Sequence, residues 1–388
     1  MVVEPMIRNN ICMNAHPVGC DRNVKEQIEY VRSQGTFSGP RNVLVIGASG
    51  GYGLASRIVA AFGSGAATIG VSYETPAKGR RTATAGWYQD LAFRRYADEA
   101  GLKNRSIIAD AFAHETKAQT IEAIKEMMGQ VDLVVYSLAS PVRVDPDTGV
   151  MYRSTLKPIG RRYEAMTLDG KTAQLKPTAA DEASEDEIAQ TVKVMGGEDW
   201  ELWIDALDEA GVLTPTATTV AYSYIGPEVT FPLYRDGTIG RAKEHLEATA
   251  RAMDERLRAH GGHAWVSINK ALVTKASSVI AAVPLYLTIL YKIMKEKGLH
   301  EGTIEQMYRL FTAQLYGGGE PTLDDRQRIR MDDWEMREDV QREVSRIWDE
   351  ITQENLGDLA DVEGFQREFL QIHGFAFDGV DYAEDVEI

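Results

Sequence analysis

The apolar run Val43-Leu44-Val45-Ile46 leads directly into Gly47-Ala48-Ser49-Gly50-Gly51-Tyr52-Gly53, and residues 54–62 then follow a helical pattern. No other feature limits the folding of this chain as strongly. A buried strand that turns at once into a helix gathers backbone N–H groups and the positive helix end at one spot, which suits an anion. Side chains at Gly47, Gly51 and Gly53 would obstruct a pyrophosphate approaching that backbone. The spacing is G-x-x-x-G-x-G rather than G-x-G-x-x-G. Between an apolar strand and a helix it reads as a dinucleotide cradle, against the plainer alternative of a tight turn.

The rest of the first half repeats the strand-then-helix alternation. Strands are expected over 67–73, 106–109 and 131–136, with a helix over 116–128; later come strands over 216–224 and 263–268 and a helix over 238–258. Such alternation predicts βαβ units and a doubly wound parallel sheet. Residues 143–190, rich in Thr, Lys, Asp and Gly, interrupt it and read as an insertion, with a hairpin over the sheet. An apolar stretch between Lys275 and Lys292, containing Ser277, Ser278 and Pro284, reads as a buried helix near 275–296, or as one lining an apolar channel. It falls short of the ~18–20 residues that span a bilayer. From about residue 303 the chain is charged and helical in pattern.

Composition narrows the function. The 388 residues are 44% hydrophobic and 26% charged, as in soluble globular proteins. Lys+Arg is 42 and Asp+Glu is 58, a net charge of −16, which argues against nucleic acid as partner. Cys12 and Cys20 are too few for a disulfide framework and suit a reducing cytosol. His16 beside them invites a metal reading, but His16-Pro17 and Gly19 are expected to interrupt a helix, and a structural zinc needs a fourth ligand; no metal is expected. The first ten residues lack the apolar core of a signal peptide.

Carboxyl ends of parallel strands place the ligand in open α/β sheets. Tyr73 and Glu74 end the second strand, Glu74 lying 21 positions after Gly53. There an acidic side chain accepts from ribose hydroxyls and repels a 2′-phosphate, favouring NADH over NADPH. Lys78, Arg80 and Arg81 oppose that reading if they face the phosphate rather than solvent. Asp110 and Ala111 follow the third strand, with Asp110 expected to contact adenine, and Leu138 and Ala139 follow the fourth, their backbone expected beside the nicotinamide ribose. Hydride transfer to a polarised bond leaves charge on an oxygen, which calls for a hydroxyl donor with a cation nearby. Tyr-x3-Lys occurs at Tyr291–Lys295, after the wrong strand, and with 16 tyrosines about one such match arises by chance. Tyr234 and Lys243 flank the start of the helix after the fifth strand, a better position, weighed against a structural tyrosine.

Longer blocks also bear on the chain: Arg8-Asn9-Asn10-Ile11-Cys12 with His16-Pro17; Gly86-Trp87-Tyr88; Tyr136-Ser137-Leu138-Ala139-Ser140-Pro141; Lys193-Val194-Met195-Gly196-Gly197-Glu198-Asp199-Trp200; Ala221-Tyr222-Ser223-Tyr224-Ile225-Gly226; Gly237-Thr238-Ile239-Gly240; Lys243-Glu244-His245-Leu246-Glu247; Val266-Ser267-Ile268-Asn269-Lys270; and Leu272-Val273-Thr274. Together they resemble the family formed by FabV-type enoyl-acyl-carrier-protein reductases and trans-2-enoyl-CoA reductases. The resemblance spans nearly the whole chain and includes a Tyr-x8-Lys signature at Tyr234 and Lys243. It implies an enlarged Rossmann fold acting as a cytoplasmic monomer, with NADH as reductant and an enoyl-CoA or enoyl-acyl carrier protein as substrate. It implies Tyr234 as proton donor, Tyr224 in substrate binding, Lys243 in cofactor binding, and Leu272, Val273 and Thr274 in contact with NAD. Tyr52 is expected to line the nucleotide cleft. No flavin is expected, for want of a flavin-specific motif.

The organisation expected is one Rossmann unit over 1–388, with its nucleotide-binding core at 40–145 and 215–300, an insertion at 146–214 and a helical extension at 301–388. Two other functions compete: a short-chain ketoreductase, disfavoured by the misplaced Tyr-x3-Lys, and a non-catalytic NAD-binding protein, which would not need Tyr224, Tyr234 and Lys243 together.

Overall fold

Seven parallel strands form the central sheet of the computed structural model, which describes residues 1–8, 11–274, 277, 280 and 282–388. In chain order they are β1 (Asn42–Ile46), β2 (Ala67–Ser72), β3 (Asn104–Ile108), β4 (Val131–Tyr136), β5 (Leu213–Ser223), β6 (His263–Ile268) and β7 (Arg328–Arg330). Their order across the sheet is β7-β6-β5-β4-β1-β2-β3. The chain leaves β1 toward one edge and returns to β4 on its other side, so the strand order reverses between β1 and β4. Ligands of open α/β sheets bind in the crevice at such a reversal. The apolar residues of β1 and β4 are buried on both faces, because helices cover each side.

One face carries α1 (Pro17–Gln34), α2 (Gly51–Ile58) and α3 (Ala85–Glu99); the other carries α4 (His114–Met127), α6 (Glu198–Glu209) and α7 (Thr238–Arg258), with α5 (Glu185–Met195) packed on α7. The α1 helix corrects the reading of His16-Pro17 as an interruption. His16 is its N-cap, its Nδ1 accepting the Gly19 N–H at 3.2 Å, and Pro17 is its first residue. Proline is favoured there because that N–H has no helical partner. Cys12 and Cys20 are buried and unpaired with each other.

The inserted segment holds an antiparallel hairpin, Tyr163–Asp169 with Gln174–Ala180. Beyond β6 the apolar helix is α8 (Val283–Glu296); residues 275, 276, 278, 279 and 281 of the expected span lie outside the described residues. Leu285, Tyr286, Leu287, Ile289, Leu290 and Tyr291 on α8 are each at most 1% exposed. The hairpin and the helices Glu338–Glu350 and Val362–Gln371 pack around it. Burying each such side chain contributes about 1.5–3 kcal/mol. With this covering, α8 over 283–296 is a core element rather than an open channel wall. Within 301–388, β7 breaks the helical pattern by adding a strand to the sheet edge beside β6.

Candidate active site

The crevice between β1 and β4 is shaped by close backbone approach. Gly47 has φ +90°, and a Cβ there would stand 2.2 Å from the Ser137 carbonyl oxygen; a Cβ on Gly53 would stand 2.0 Å from the Gly47 carbonyl oxygen. The turn after β1 therefore nests against the end of β4, and α2 begins at Gly51 pointing into the crevice. Ala48 is buried, whereas Ser49 and Gly50 are half-buried at the rim. Leu138 is half-buried and its neighbour Ala139 exposed.

Glu74 closes the side of this crevice. Its Oε1 accepts from the Ser49 hydroxyl at 2.7 Å, while its Oε2 is buried with no partner among the described residues. A Cβ on Gly86, at the start of α3, would lie 2.2 Å from Glu74 Oε1, so the glycine makes room for the carboxylate. An acceptor oxygen left over beside a glycine turn is what a ribose diol requires. Lys78, Arg80 and Arg81 are not drawn toward it and lie at the surface, Arg80 and Arg81 exposed. Tyr73 is 79% exposed and stands out in solvent.

The loop after β3 is held from beneath. Asp110 accepts the Phe112 N–H at 3.0 Å. The Ala111 carbonyl accepts from the Lys117 ammonium at 3.2 Å and the Trp203 indole N–H at 3.1 Å. Lys117 is itself paired with Asp199 at 2.8 Å, both nearly inaccessible, and Tyr136 donates to the same carboxylate at 3.0 Å.

Beyond β5 lie the groups suited to proton chemistry. Tyr224 follows the strand directly, and Tyr234 sits in the loop before α7. Their rings meet edge to face with centroids 4.9 Å apart. Tyr224 donates to Glu335 Oε1 at 3.0 Å. Burial and the neighbouring Glu335 hold the Tyr224 hydroxyl well above the usual phenol range. Burial alone raises Tyr234, whose hydroxyl has no protein partner among the described residues. On the first turns of α7, Lys243 donates a long 3.4 Å hydrogen bond to the Tyr222 carbonyl. Loss of water around its ammonium lowers it to about 8.

A short strap, residues 271–274, crosses from β6 toward the glycine turn. The Thr274 methyl would lie 3.9 Å from a Cβ on Gly51. The strap's N–H groups are tied inward. Ala271 donates to Glu335 Oε2 at 2.7 Å, Val273 to the Tyr291 hydroxyl at 2.9 Å and Thr274 to the Ser277 hydroxyl at 2.8 Å. Tyr52 reaches under it, donating to the Lys270 carbonyl at 2.7 Å with its ring against Tyr222.

The residues read from the sequence thus fall into two adjoining groups. Gly47, Gly51, Gly53, Glu74, Leu138 and Thr274 surround the crevice, and Tyr224, Tyr234 and Lys243 lie off the end of β5, next to β4 in the sheet. Tyr73 is not drawn in. Tyr291 and Lys295 form no Tyr–Lys pair of the reductase kind: Lys295 binds Asp361 at 2.7 Å, and Tyr291 serves Val273. Sequence reasoning missed Glu335 and the hold that Tyr291 has on the strap. For Glu335 there was no local signal, since Met331-Asp332-Asp333-Trp334-Glu335 reads as one more charged segment.

Known proteins resemble this chain over its whole length. Residues 81–316 match the trans-2-enoyl-CoA reductase catalytic region, residues 2–79 the NAD(P)H binding domain of trans-2-enoyl-CoA reductase, and residues 323–386 the enoyl reductase FAD binding domain. The chain is 55% identical to an enoyl-[acyl-carrier-protein] reductase [NADH] of Flavobacterium johnsoniae, over 99% of this chain and 97% of that one. It is 53% identical to a trans-2-enoyl-CoA reductase [NADH] of Brachyspira hyodysenteriae, covering 100% of both. A crystal structure of a Clostridium acetobutulicum trans-2-enoyl-CoA reductase in complex with NADH superposes with TM-score 0.98 at 48% identity, covering 100% of this chain and 98% of that one.

The glycine turn and the unpartnered Glu74 oxygen fit NADH. Residues 323–386 do not fit a flavin in the same way. Their interior is filled by Val340, Val344, Ile347, Phe365 and Phe369, and their buried carboxylates Asp332 and Glu335 are occupied by Arg330, Tyr224 and Tyr286.

Proposed function

Because the chain belongs to the family of trans-2-enoyl-CoA and enoyl-[acyl-carrier-protein] reductases, we propose a full account of its catalysis in terms of its own residues. The enzyme reduces the trans-2 double bond of an enoyl thioester to the saturated acyl thioester with NADH. NADH, when bound, supplies the hydride that adds to the β-carbon. Whole-length identity above one half to NADH-dependent relatives carries this reading.

The glycine turn and the N-terminus of α2 would hold the pyrophosphate, and Glu74 the adenosine ribose. Leu138, Ala139 and the strap at 272–274 would flank the nicotinamide end. Lys243 would donate to the nicotinamide ribose. The negative charge that develops on the thioester oxygen needs donors already in place, because a donor fixed in a water-poor site stabilises that charge without reorganising. Tyr234 meets that requirement, since its ring is held by Tyr224 and its hydroxyl has no partner among the described residues. Tyr224 would lie against the thioester and keep it in line; the proton that completes the reduction at the α-carbon would come from the Tyr234 hydroxyl, which solvent then reprotonates. A raised phenol range keeps both hydroxyls protonated at neutral pH, as donors must be.

Relatives named for each carrier match at nearly the same identity, so the reading covers both enoyl-CoA and enoyl-acyl carrier protein. It also takes the enzyme to be a cytoplasmic monomer; the two buried, unpaired cysteines suit a reducing compartment. Among the described residues no helix is long and apolar enough to cross a membrane. The direct test is loss of NADH absorbance with crotonyl-CoA and with a crotonyl-acyl carrier protein. Turnover of either thioester, with no reduction of a β-ketoacyl thioester, is expected; ketone reduction in place of alkene reduction would refute the reading.

A further inference from the structure

Glu335 is fully buried, yet nothing in the mechanism above uses it. Its two oxygens serve different parts of the site. Oε1 accepts from Tyr224 at 3.0 Å and from Tyr286 of α8 at 2.5 Å, and Oε2 accepts the Ala271 N–H at 2.7 Å. Its own backbone carbonyl is held by the Gln341 amide at 2.7 Å. A buried carboxylate with three donors on it is fixed in place, since any rotation would strand at least one of them. Tyr224 and the strap at 271–274 are separate elements of the site, on the segments after β5 and β6, and no direct hydrogen bond joins them among the described residues. The carboxylate is their common anchor.

We propose that Glu335 is a positioning residue that sets the Tyr224 hydroxyl and the 271–274 strap in register, so that thioester and cofactor are received in one geometry. The inference rests on the reading of Tyr224 as a thioester contact and of the strap as a cofactor contact. It gives the C-terminal segment a part in the reaction without a flavin. Glutamine is nearly isosteric but has one acceptor oxygen and a donor amide. In Glu335→Gln either the tyrosines or the Ala271 N–H would therefore meet a donor instead of an acceptor.

The test is made on the full-length protein with NADH and crotonyl-CoA. Glu335→Gln is expected to raise KM for crotonyl-CoA, or Kd for NADH measured by fluorescence without thioester, by about tenfold, with kcat reduced less. A residue needed only for folding would lower the active fraction, and so kcat, while leaving both KM and Kd at wild-type values. That outcome would overturn the proposal. If Glu335→Gln does not fold, Glu335→Asp keeps the charge but is one methylene too short to reach both ends. It is expected to raise KM or Kd at least about threefold, and wild-type values for both would again count against the inference. In the Tyr224→Phe background, the part of the Glu335→Gln effect on KM should vanish, because the hydroxyl it acts through is gone; full multiplication of the two effects would show that they are independent. Failure of the underlying reading looks different. There Tyr224→Phe leaves KM for crotonyl-CoA unchanged, whatever Glu335→Gln does to NADH binding.

Discussion

The Tyr224 and Tyr234 rings lie edge to face, 4.9 Å between centroids, but among the described residues only the Tyr224 hydroxyl has a hydrogen-bond partner. One tyrosine is fixed at both ring and hydroxyl, the other through its ring alone. The difference matters for mutagenesis, because a hydroxyl without a protein partner can be removed without stranding a buried group.

Tyr234→Phe should fold and bind NADH as the wild type does. It should lose about 10²–10³ in kcat with crotonyl-CoA, or roughly 2.7–4 kcal/mol, the usual effect of deleting a donor to a developing oxyanion. Steady-state rates alongside NADH fluorescence titration check this, and wild-type turnover would remove Tyr234 from the chemistry.

Glu74→Ala should narrow the preference for NADH over NADPH by about tenfold, since a charge-assisted hydrogen bond of about 1.5–3 kcal/mol is lost and the repulsion of a 2′-phosphate with it. Gly86→Ala should act in the same direction without touching the charge, because its methyl would occupy the place of Glu74 Oε1. The ratio of kcat/KM values for the two cofactors decides the matter. A wild-type enzyme faster with NADPH would reject the assignment.

Tyr291→Phe leaves the buried Val273 N–H without its acceptor, at a cost of about 1–3 kcal/mol. Thermal stability should fall and NADH Kd should rise, while kcat at saturating NADH stays close to wild type. A dead Tyr291→Phe enzyme at saturating cofactor would reopen the ketoreductase reading built on Tyr291 and Lys295.

Lys243 titrates near pH 8 in the free protein, below the ordinary lysine range, because its ammonium is poorly hydrated. Its charge is present below that pH and lost above it, so kcat/KM for NADH should fall as pH rises through about 8. Lys243→Arg, which keeps its charge far higher, should move that limb upward. Stability runs the other way. Between about pH 8 and the normal lysine range the unfolded chain binds the proton that the folded chain has released, so this group's contribution to stability grows with pH. Lys243→Met should therefore be more stable than wild type near pH 7, by a margin that shrinks toward pH 10. Melting curves at the two pH values measure it, and a margin that widens would contradict the burial argument.

The parts of this fold that are legible in the sequence are those specified locally. β1, β4, β6 and α7 have the bounds that their apolar runs and helical period suggest, and β2, β3 and β5 differ at their ends by up to three residues. The glycine turn and Glu74 can be read because each signals itself by type and spacing. What escapes is fixed by partners distant in the chain. β7 is three residues, Arg328-Ile329-Arg330, charged at both ends, and exists as a strand because β6 offers a free edge. α1 is hidden by Pro17, which reads as a breaker but serves as a first-turn residue. Glu335 meets Tyr224 across 111 positions of chain, a pairing that no periodicity encodes.

That long pairing also orders events on the ribosome. Synthesis proceeds at about 5–20 residues per second, and segments made early fold first. The glycine turn, Glu74 and both tyrosines emerge well before Glu335, so a nascent chain holds its cofactor cradle while Tyr224 still lacks its acceptor and the edge of β6 is still unpaired. Until residues 328–330 are out, that edge is an open template for misassociation, and the same late segment that closes the edge goes on to complete the site.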